Sequence, residues 1–252
     1  MAPFHKEMFY LTEDEAHKLI VVMAYRGSGK STIMNLSYGI WSILGMQKKK
    51  FVLVLSKTRS QARDHFANIK SELEYNDLLK SDLGPFEADE GQWETYALEL
   101  PKFGAKIMCA ATEQGVRGLR YAQRRPDLII CDDLEDSVSV VSETSRNATY
   151  EWFVNEVLPL GTQNTRIVVL GNLLHAESLL MRLREGTVEK ERPGIFRAYP
   201  LVDDLSQPLW PARFPSREDI RGLKKSIADE NIWTREYLLK ILPEGPILIL
   251  DL

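Results

Sequence analysis

Lys30 and Ser31 close a run of unusual composition, Ala24-Tyr25-Arg26-Gly27-Ser28-Gly29-Lys30-Ser31-Thr32. A glycine-rich turn between an apolar strand and a helix offers successive backbone N–H groups to phosphate oxygens, and the helix adds the positive end of its dipole. A lysine at the end of such a turn reaches the β- and γ-phosphates, and the hydroxyl after it ligates Mg²⁺. Tyr25, Arg26, Gly27, Ser28, Gly29, Lys30, Ser31 and Thr32 are therefore expected to bind nucleotide, with Ser31 also a metal ligand. At Gly29 a side chain would obstruct the anion. The usual first glycine is replaced by Ala24, and Arg26 stands four positions before the lysine. An arginine so placed can curl over the γ-phosphoryl group as a finger supplied in cis. Its plainer alternative is a salt bridge to a nearby carboxylate.

A second group of residues could hold the metal and activate water. The run Leu128-Ile129-Ile130-Cys131-Asp132-Asp133 ends an apolar strand on acids. Such a strand aims Asp132 rigidly at Mg²⁺ beside the phosphate loop, as a Walker B element does. A second acid must orient or deprotonate the attacking water. Asp133 occupies the usual place, and Glu135 is the alternative because glutamate reaches further. Taken alone, an acid pair after a strand is more often a helix cap or loop. With the phosphate loop upstream, the two motifs are expected on neighbouring strand ends. A third strand ends Gly171-Asn172, where the amide could sense the γ-phosphate or the water, or could form an ordinary turn.

Positioning these residues requires a sheet. Segments 19–24, 51–56 and 166–171 are short β-branched runs without alternation, as in strands covered on both faces. Segment 127–132 has the same character, and 105–111 is a weaker fifth. Helix-period stretches lie between them at 30–46, 60–79 and 143–158. That alternation implies a parallel sheet with right-handed crossovers. The fold class expected is α/β, a P-loop NTPase of the ASCE/RecA-like kind with a central, mostly parallel sheet flanked by helices. From Tyr199 the texture changes, with Pro200, Pro208, Pro211 and Pro215 marking an extended segment before helices at 216–228 and 231–242. The expected division is an ATPase core at 1–200, a small helical appendage at 201–246, and a strand start at 247–252.

Composition sets limits. Among 252 residues 44% are hydrophobic and the net charge is −4, which allows a sizeable core and excludes a uniformly basic nucleic-acid coat. Short basic clusters occur at 48–50, 120–125 and 221–225, each of which could be a solvated face. Cys109 and Cys131 sit in apolar runs, as buried thiols do. No stretch of about 18 apolar residues occurs and the N-terminus lacks a signal-peptide pattern, so a soluble, cytoplasmic protein is expected.

In order and spacing these motifs resemble the ATPase domain of the large terminase subunit, the DNA-packaging motor of tailed bacteriophages. The resemblance rests on the Arg26-bearing loop, on Ser56-Lys57-Thr58-Arg59-Ser60-Gln61-Ala62, and on Thr112-Glu113-Gln114-Gly115-Val116-Arg117-Gly118-Leu119-Arg120 before the acidic strand. It rests also on Gly171-Asn172, matching the family's coupling motif, and on Leu209-Trp210-Pro211 and Arg235-Glu236-Tyr237. It implies that ATP and Mg²⁺ are bound and that hydrolysis moves double-stranded DNA into a procapsid. It further implies a homo-oligomeric ring on the portal protein, a small terminase subunit as partner, and a bacterial host cytoplasm with transient residence on the procapsid.

A neighbouring subunit would supply an arginine in trans, either Arg117 or Arg120, with Arg117 preferred. Pro3-Phe4-His5 falls where the family contacts adenine, although His5 stands where glutamine is often found. Family members carry a C-terminal nuclease domain. Asp251 would be its first acid, but one carboxylate cannot build a two-metal site, so no nuclease activity is expected. Two other readings are a helicase-like translocase and a nucleotide-gated assembly switch. The first normally needs a second RecA-like core, for which the roughly 80 residues after Gly171 are too few. The second predicts that Asp133 and Glu135 can be neutralised without loss of function.

Overall fold

The computed structural model describes residues 1–86, 95–188 and 193–241. The run 247–252 with Asp251, the break at 243–246 and the last residue of the expected helix 231–242 lie outside the described residues.

Seven strands form one sheet in the order β3-β4-β2-β5-β6-β1-β7. They are β1 (Leu19–Ala24), β2 (Phe51–Ser56), β3 (Ala97–Leu100), β4 (Ala105–Ala111), β5 (Leu128–Asp132), β6 (Arg166–Gly171) and β7 (Gly194–Tyr199). Of these, β3 runs antiparallel against β4, and every other pairing is parallel. The five expected strands all form. The chain is an α/β P-loop NTPase fold.

The absence of alternation in β1, β2 and β6 has a direct cause, since every residue of each is buried. Ile20, Val22 and Ala24 enter one apolar layer, while Leu19, Val21 and Met23 enter the other. The first layer is covered by α1 (Pro3–Glu13), by the helical run after the phosphate loop, and by Phe66, Ile69 and Leu73 of α3 (Arg59–Tyr75). That run comprises a π-helical stretch, Thr32–Ser37, and α2 (Tyr38–Leu44). The second layer takes Phe153 and Val157 from the π-helical turn after α5 (Glu143–Trp152), and Leu179, Leu180 and Leu183 from α6 (Leu179–Val188). Cys109 and Cys131 are buried free thiols within these layers.

The expected helix 60–79 is two helices. The Thr58 hydroxyl accepts from the Gln61 N–H to start α3, and Asn76 ends α3 while its side chain accepts from the Leu79 N–H to start α4 (Asp77–Leu83). An asparagine that caps the next helix outweighs the continuing apolar period. The expected helix at 231–242 is also shorter, consisting of α8 (Glu230–Ile232) and a π-helical turn, Trp233–Tyr237. Before it, α7 (Arg217–Ile227) opens on a capping box between Ser216 and Asp219. Residues after β7 share the first core layer: Leu201, Phe214, Trp233 and Tyr237 pack there with Phe4 and Tyr25.

Helix α1 was not foreseen, and it is fixed at both ends. The guanidinium of Arg166, 2% exposed, donates to the carbonyls of Leu11 and Thr12, each at 2.8 Å, and to that of Asp14. It thereby satisfies two of the orphan acceptors of the last turn and complements the negative dipole end of the helix C-terminus. The other end meets the phosphate loop. Among the described residues no helix is long and apolar enough to cross a membrane.

Candidate active site

The phosphate loop leaves β1 through two left-handed residues, Gly27 at φ 83° and Gly29 at φ 86°. Only glycine takes that conformation without strain. The turn is closed by Ser28 N–H donating to the Tyr25 carbonyl at 3.1 Å. Neighbouring backbone fixes its flanks, with Tyr25 N–H donating to the Tyr199 carbonyl and Arg26 N–H to the Glu236 carbonyl. The Tyr25 ring is fully buried, so it packs in the core, while Thr32 is exposed at the start of the π-helical stretch.

Pro3 opens α1, and the Phe4 ring is buried against His5, Tyr199 and Trp210. His5 is 3% exposed, and both of its ring nitrogens are engaged within the chain. Ala2 N–H donates to Nδ1 at 3.1 Å, which leaves the proton on Nε2 to donate to the Ser28 carbonyl at 2.7 Å. Burial holds the His5 pKa below its ordinary value, which favours this neutral imidazole. Its visible task is to seat the phosphate loop.

Lys30 is 7% exposed, and its Nζ donates to Asn172 Oδ1 at 2.6 Å and lies 3.6 Å from Asp133 Oδ2. Ser31 Oγ donates to Asp132 Oδ1 at 3.1 Å, and Asp132 is 1% exposed. The two motifs do not occupy neighbouring strands as expected. β6 lies between β1 and β5, pairing with both. Its end carries Asn172 into the gap between Lys30 and the acids, so the three strand ends share one edge.

Glu135 accepts the Leu179 N–H at Oε2, 2.8 Å away, while its Oε1 is buried without a hydrogen-bond partner among the described residues. Burial pushes its carboxyl up to about 7, against the pull of that N–H, Lys57, Arg182 and Arg146. Asp133 sits at a left-handed φ of 49°, tolerable for aspartate. Lys30, Asp133, Glu135, Asn172, Arg26 and Glu236 line one cleft of about 240 Å³.

Arg26 projects into solvent, its side chain 68% exposed, and pairs at 3.4 Å with Oε2 of Glu236, a buried carboxylate. The salt bridge weighed from the sequence is thus present. Arg117 and Arg120 are both exposed on the loop after β4 and neither lines the cleft; Arg117 lies 3.5 Å from Glu156.

Sequence reasoning missed four residues here. Asn35 and His65 both approach Asp132 Oδ2, Glu236 anchors the Arg26 backbone and side chain, and Arg213 donates to the Gly27 carbonyl while lying over the Trp210 ring. The Trp210-Pro211 and Arg235-Glu236 motifs marked two of these segments without indicating that they close over the loop.

No protein-family model matches the chain, and no curated protein matches its sequence. Solved structures do match its fold. The HK97 bacteriophage large terminase aligns with 94% of this chain at TM-score 0.61 and 14% identity, over 49% of its own length. The ATPase domain of the Thermus phage P74-26 large terminase, as an arginine-to-alanine mutant, aligns with 93% of this chain at TM-score 0.59 and 11% identity, over 93% of that chain. The large terminase of another thermophilic bacteriophage, solved in complex with ATP-γ-S, aligns with 94% at TM-score 0.58 and 12% identity, over 52% of its length. The fold is that of a phage large-terminase ATPase domain. This chain spans about half the length of the HK97 large terminase and of the one solved with ATP-γ-S. At such identities the likeness establishes the fold alone.

Proposed function

We propose that this chain is the ATP-hydrolysing motor domain of a viral DNA-packaging machine. The observation that carries the reading is the contact of Ser31 Oγ with Asp132 Oδ1 across β6, beside Lys30 bonded to Asn172. Backbone N–H groups of the loop that are not spent on closing the turn, together with the Lys30 ammonium, would bind the phosphates, and the dry setting of Lys30 strengthens that attraction.

Ser31 and Asp132 suit Mg²⁺. Both are hard oxygen donors, and among the described residues no group of three or more His, Cys, Asp or Glu could hold an ion unaided. Mg²⁺ fits such a sparse site, because it keeps waters and takes further ligands from phosphate oxygens. When bound it would neutralise charge on the β- and γ-phosphates.

Glu135 is the better general base. Its unpartnered Oε1 and its carboxyl near 7 suit proton abstraction at physiological pH, whereas Asp133 faces Lys30. Asn172, bonded to Lys30 at the end of β6, would report the state of the phosphate site to the chain beyond it. Arg26 would stabilise phosphoryl charge in cis after leaving Glu236, and Arg117 or Arg120 would act on a neighbouring subunit's site. Residues 3–5 support the loop that holds the nucleotide.

Double-stranded DNA as substrate track, a ring on a portal protein, a small terminase partner and action on a procapsid in the bacterial cytoplasm belong to the same proposal. Steady-state ATP hydrolysis against protein concentration, with and without double-stranded DNA, tests it. A rate per subunit that climbs with concentration supports a shared-site ring. A rate that is flat and insensitive to Lys30→Ala removes the reading.

A further inference from the structure

The carboxylate of Asp132 is gripped from two sides. Ser31 holds Oδ1, whereas Oδ2 accepts from Asn35 Nδ2 at 3.0 Å and lies 3.6 Å from His65 Nε2. Asn35 is 1% exposed, and its own Oδ1 is buried with no hydrogen-bond partner among the described residues. Leaving an amide oxygen unpaired in the interior carries its full desolvation cost, so an apolar residue there would be the cheaper choice for packing alone. The amide is therefore explained by its other end, the bond to Asp132.

The local backbone explains how it gets there. Asn35 follows Ser31 by four residues, so both lie on one face of the helical run, and it falls within the π-helical stretch Thr32–Ser37. Such stretches, which widen a helix locally, recur at functional sites. From a second helix over the same core layer, α3 brings His65, which is partly exposed. Two nitrogen-bearing side chains from different helices thus converge on one oxygen of one carboxylate.

We propose that Asn35, supported by His65, is a positioning residue for the metal site: it ties down Oδ2 of Asp132, fixing the carboxylate so that Oδ1 is presented with Ser31 Oγ to Mg²⁺. The inference rests on reading Ser31 and Asp132 as the metal ligands. Residues that orient a metal-ligating carboxylate typically matter by about 10- to 100-fold in metal affinity.

The test is a MgCl₂ titration of the protein with a fluorescent, non-hydrolysable ATP analogue, paired with the analogue's affinity in EDTA. Asn35→Leu should raise the Mg²⁺ midpoint about tenfold, and His65→Ala about threefold, with the EDTA affinity unchanged. A purely structural role would weaken binding equally with and without the ion, and that outcome overturns the proposal. So does an unchanged midpoint in both variants. Should Asn35→Leu lose cooperative melting, His65→Ala decides alone, and a wild-type midpoint there rejects the idea. Ser31→Ala and Asp132→Ala run in parallel separate the two levels. If neither moves the midpoint, the metal-site reading has failed and takes this inference with it.

Discussion

Lys30 Nζ donates to Asn172 Oδ1 at 2.6 Å, joining the loop after β1 to the end of the strand beside it. The bond is charge-assisted and buried, a setting in which a hydrogen bond contributes about 1.5–3 kcal/mol. Lys30→Ala should abolish measurable nucleotide binding. Asn172→Ala, by contrast, should keep binding within about threefold while lowering turnover about tenfold, because it removes an orienting contact and leaves the charge in place. Isothermal titration and steady-state assay of the two variants separate these effects, and equal loss in both would mean that Asn172 is merely a ligand of the lysine.

The raised carboxyl of Glu135 predicts that both stability and the proposed activity depend on pH. It is raised from an ordinary 4.5 to about 7, chiefly by burial. The folded state therefore holds a proton that the unfolded state has released across that window, so stability falls as pH rises from about 4.5 to 7. The cost above pH 7 is at most about 3 kcal/mol. Glu135→Gln should melt several degrees higher than wild type at pH 8 and nearly identically at pH 4. The same variant should lose at least about 100-fold in hydrolysis, and wild-type rate should climb through pH 7 as the base deprotonates. A stable but fully active Glu135→Gln protein would shift the role to Asp133.

Sequence pattern exposed what depends on local chemistry. β1, β2, β5 and β6 were legible because burial on both faces leaves few polar residues in them, and the loop at 24–32 because left-handed glycines and a lysine have few other uses together. α1 was hidden because no capping side chain precedes it and its first turn has no acidic residue. The edge strand β7 is only partly buried, so its pattern is mixed. The position of β6 between β1 and β5 is a topological fact that no local period encodes. Asn35, His65 and Glu236 meet their partners over 97, 67 and 210 residues of chain; Asn35 and His65 carry no motif of their own, and the motif around Glu236 does not encode its partner.

Arg166 offers a test of the framework that carries the site. The two terminal nitrogens of a fully buried guanidinium donate to the carbonyls of residues 11, 12 and 14 and to the Tyr38 hydroxyl at 3.1 Å. Arg166→Leu would strand those acceptors in the interior. The expected loss is about 3–5 kcal/mol, or a fall in Tm on the order of 10 °C, with the P-loop disturbed through α1 and His5. Arg166→Lys should recover only part of it, since one ammonium cannot span the set. Thermal melting by circular dichroism measures both, and a fall of less than about 2 °C for Arg166→Leu would show that α1 is held by packing alone.

Whether Arg117 or Arg120 acts on a neighbouring subunit's site, as proposed, can be decided by mixing. Arg117 is tied to Glu156 by an exposed pair, which is worth at most about 1 kcal/mol and so does not prevent the side chain from swinging to another subunit. Arg120 immediately precedes a tight hairpin in which Tyr121 and Arg124 exchange backbone hydrogen bonds. The alanine variant of the true finger should lose on the order of a thousandfold in hydrolysis. Because its own phosphate loop is intact, adding Lys30→Ala protein, which has a dead loop but both arginines, should restore activity in the mixture. The variant at the other position should neither lose activity nor respond to mixing. Two inactive variants that Lys30→Ala protein fails to rescue would place the arginine's role within its own subunit.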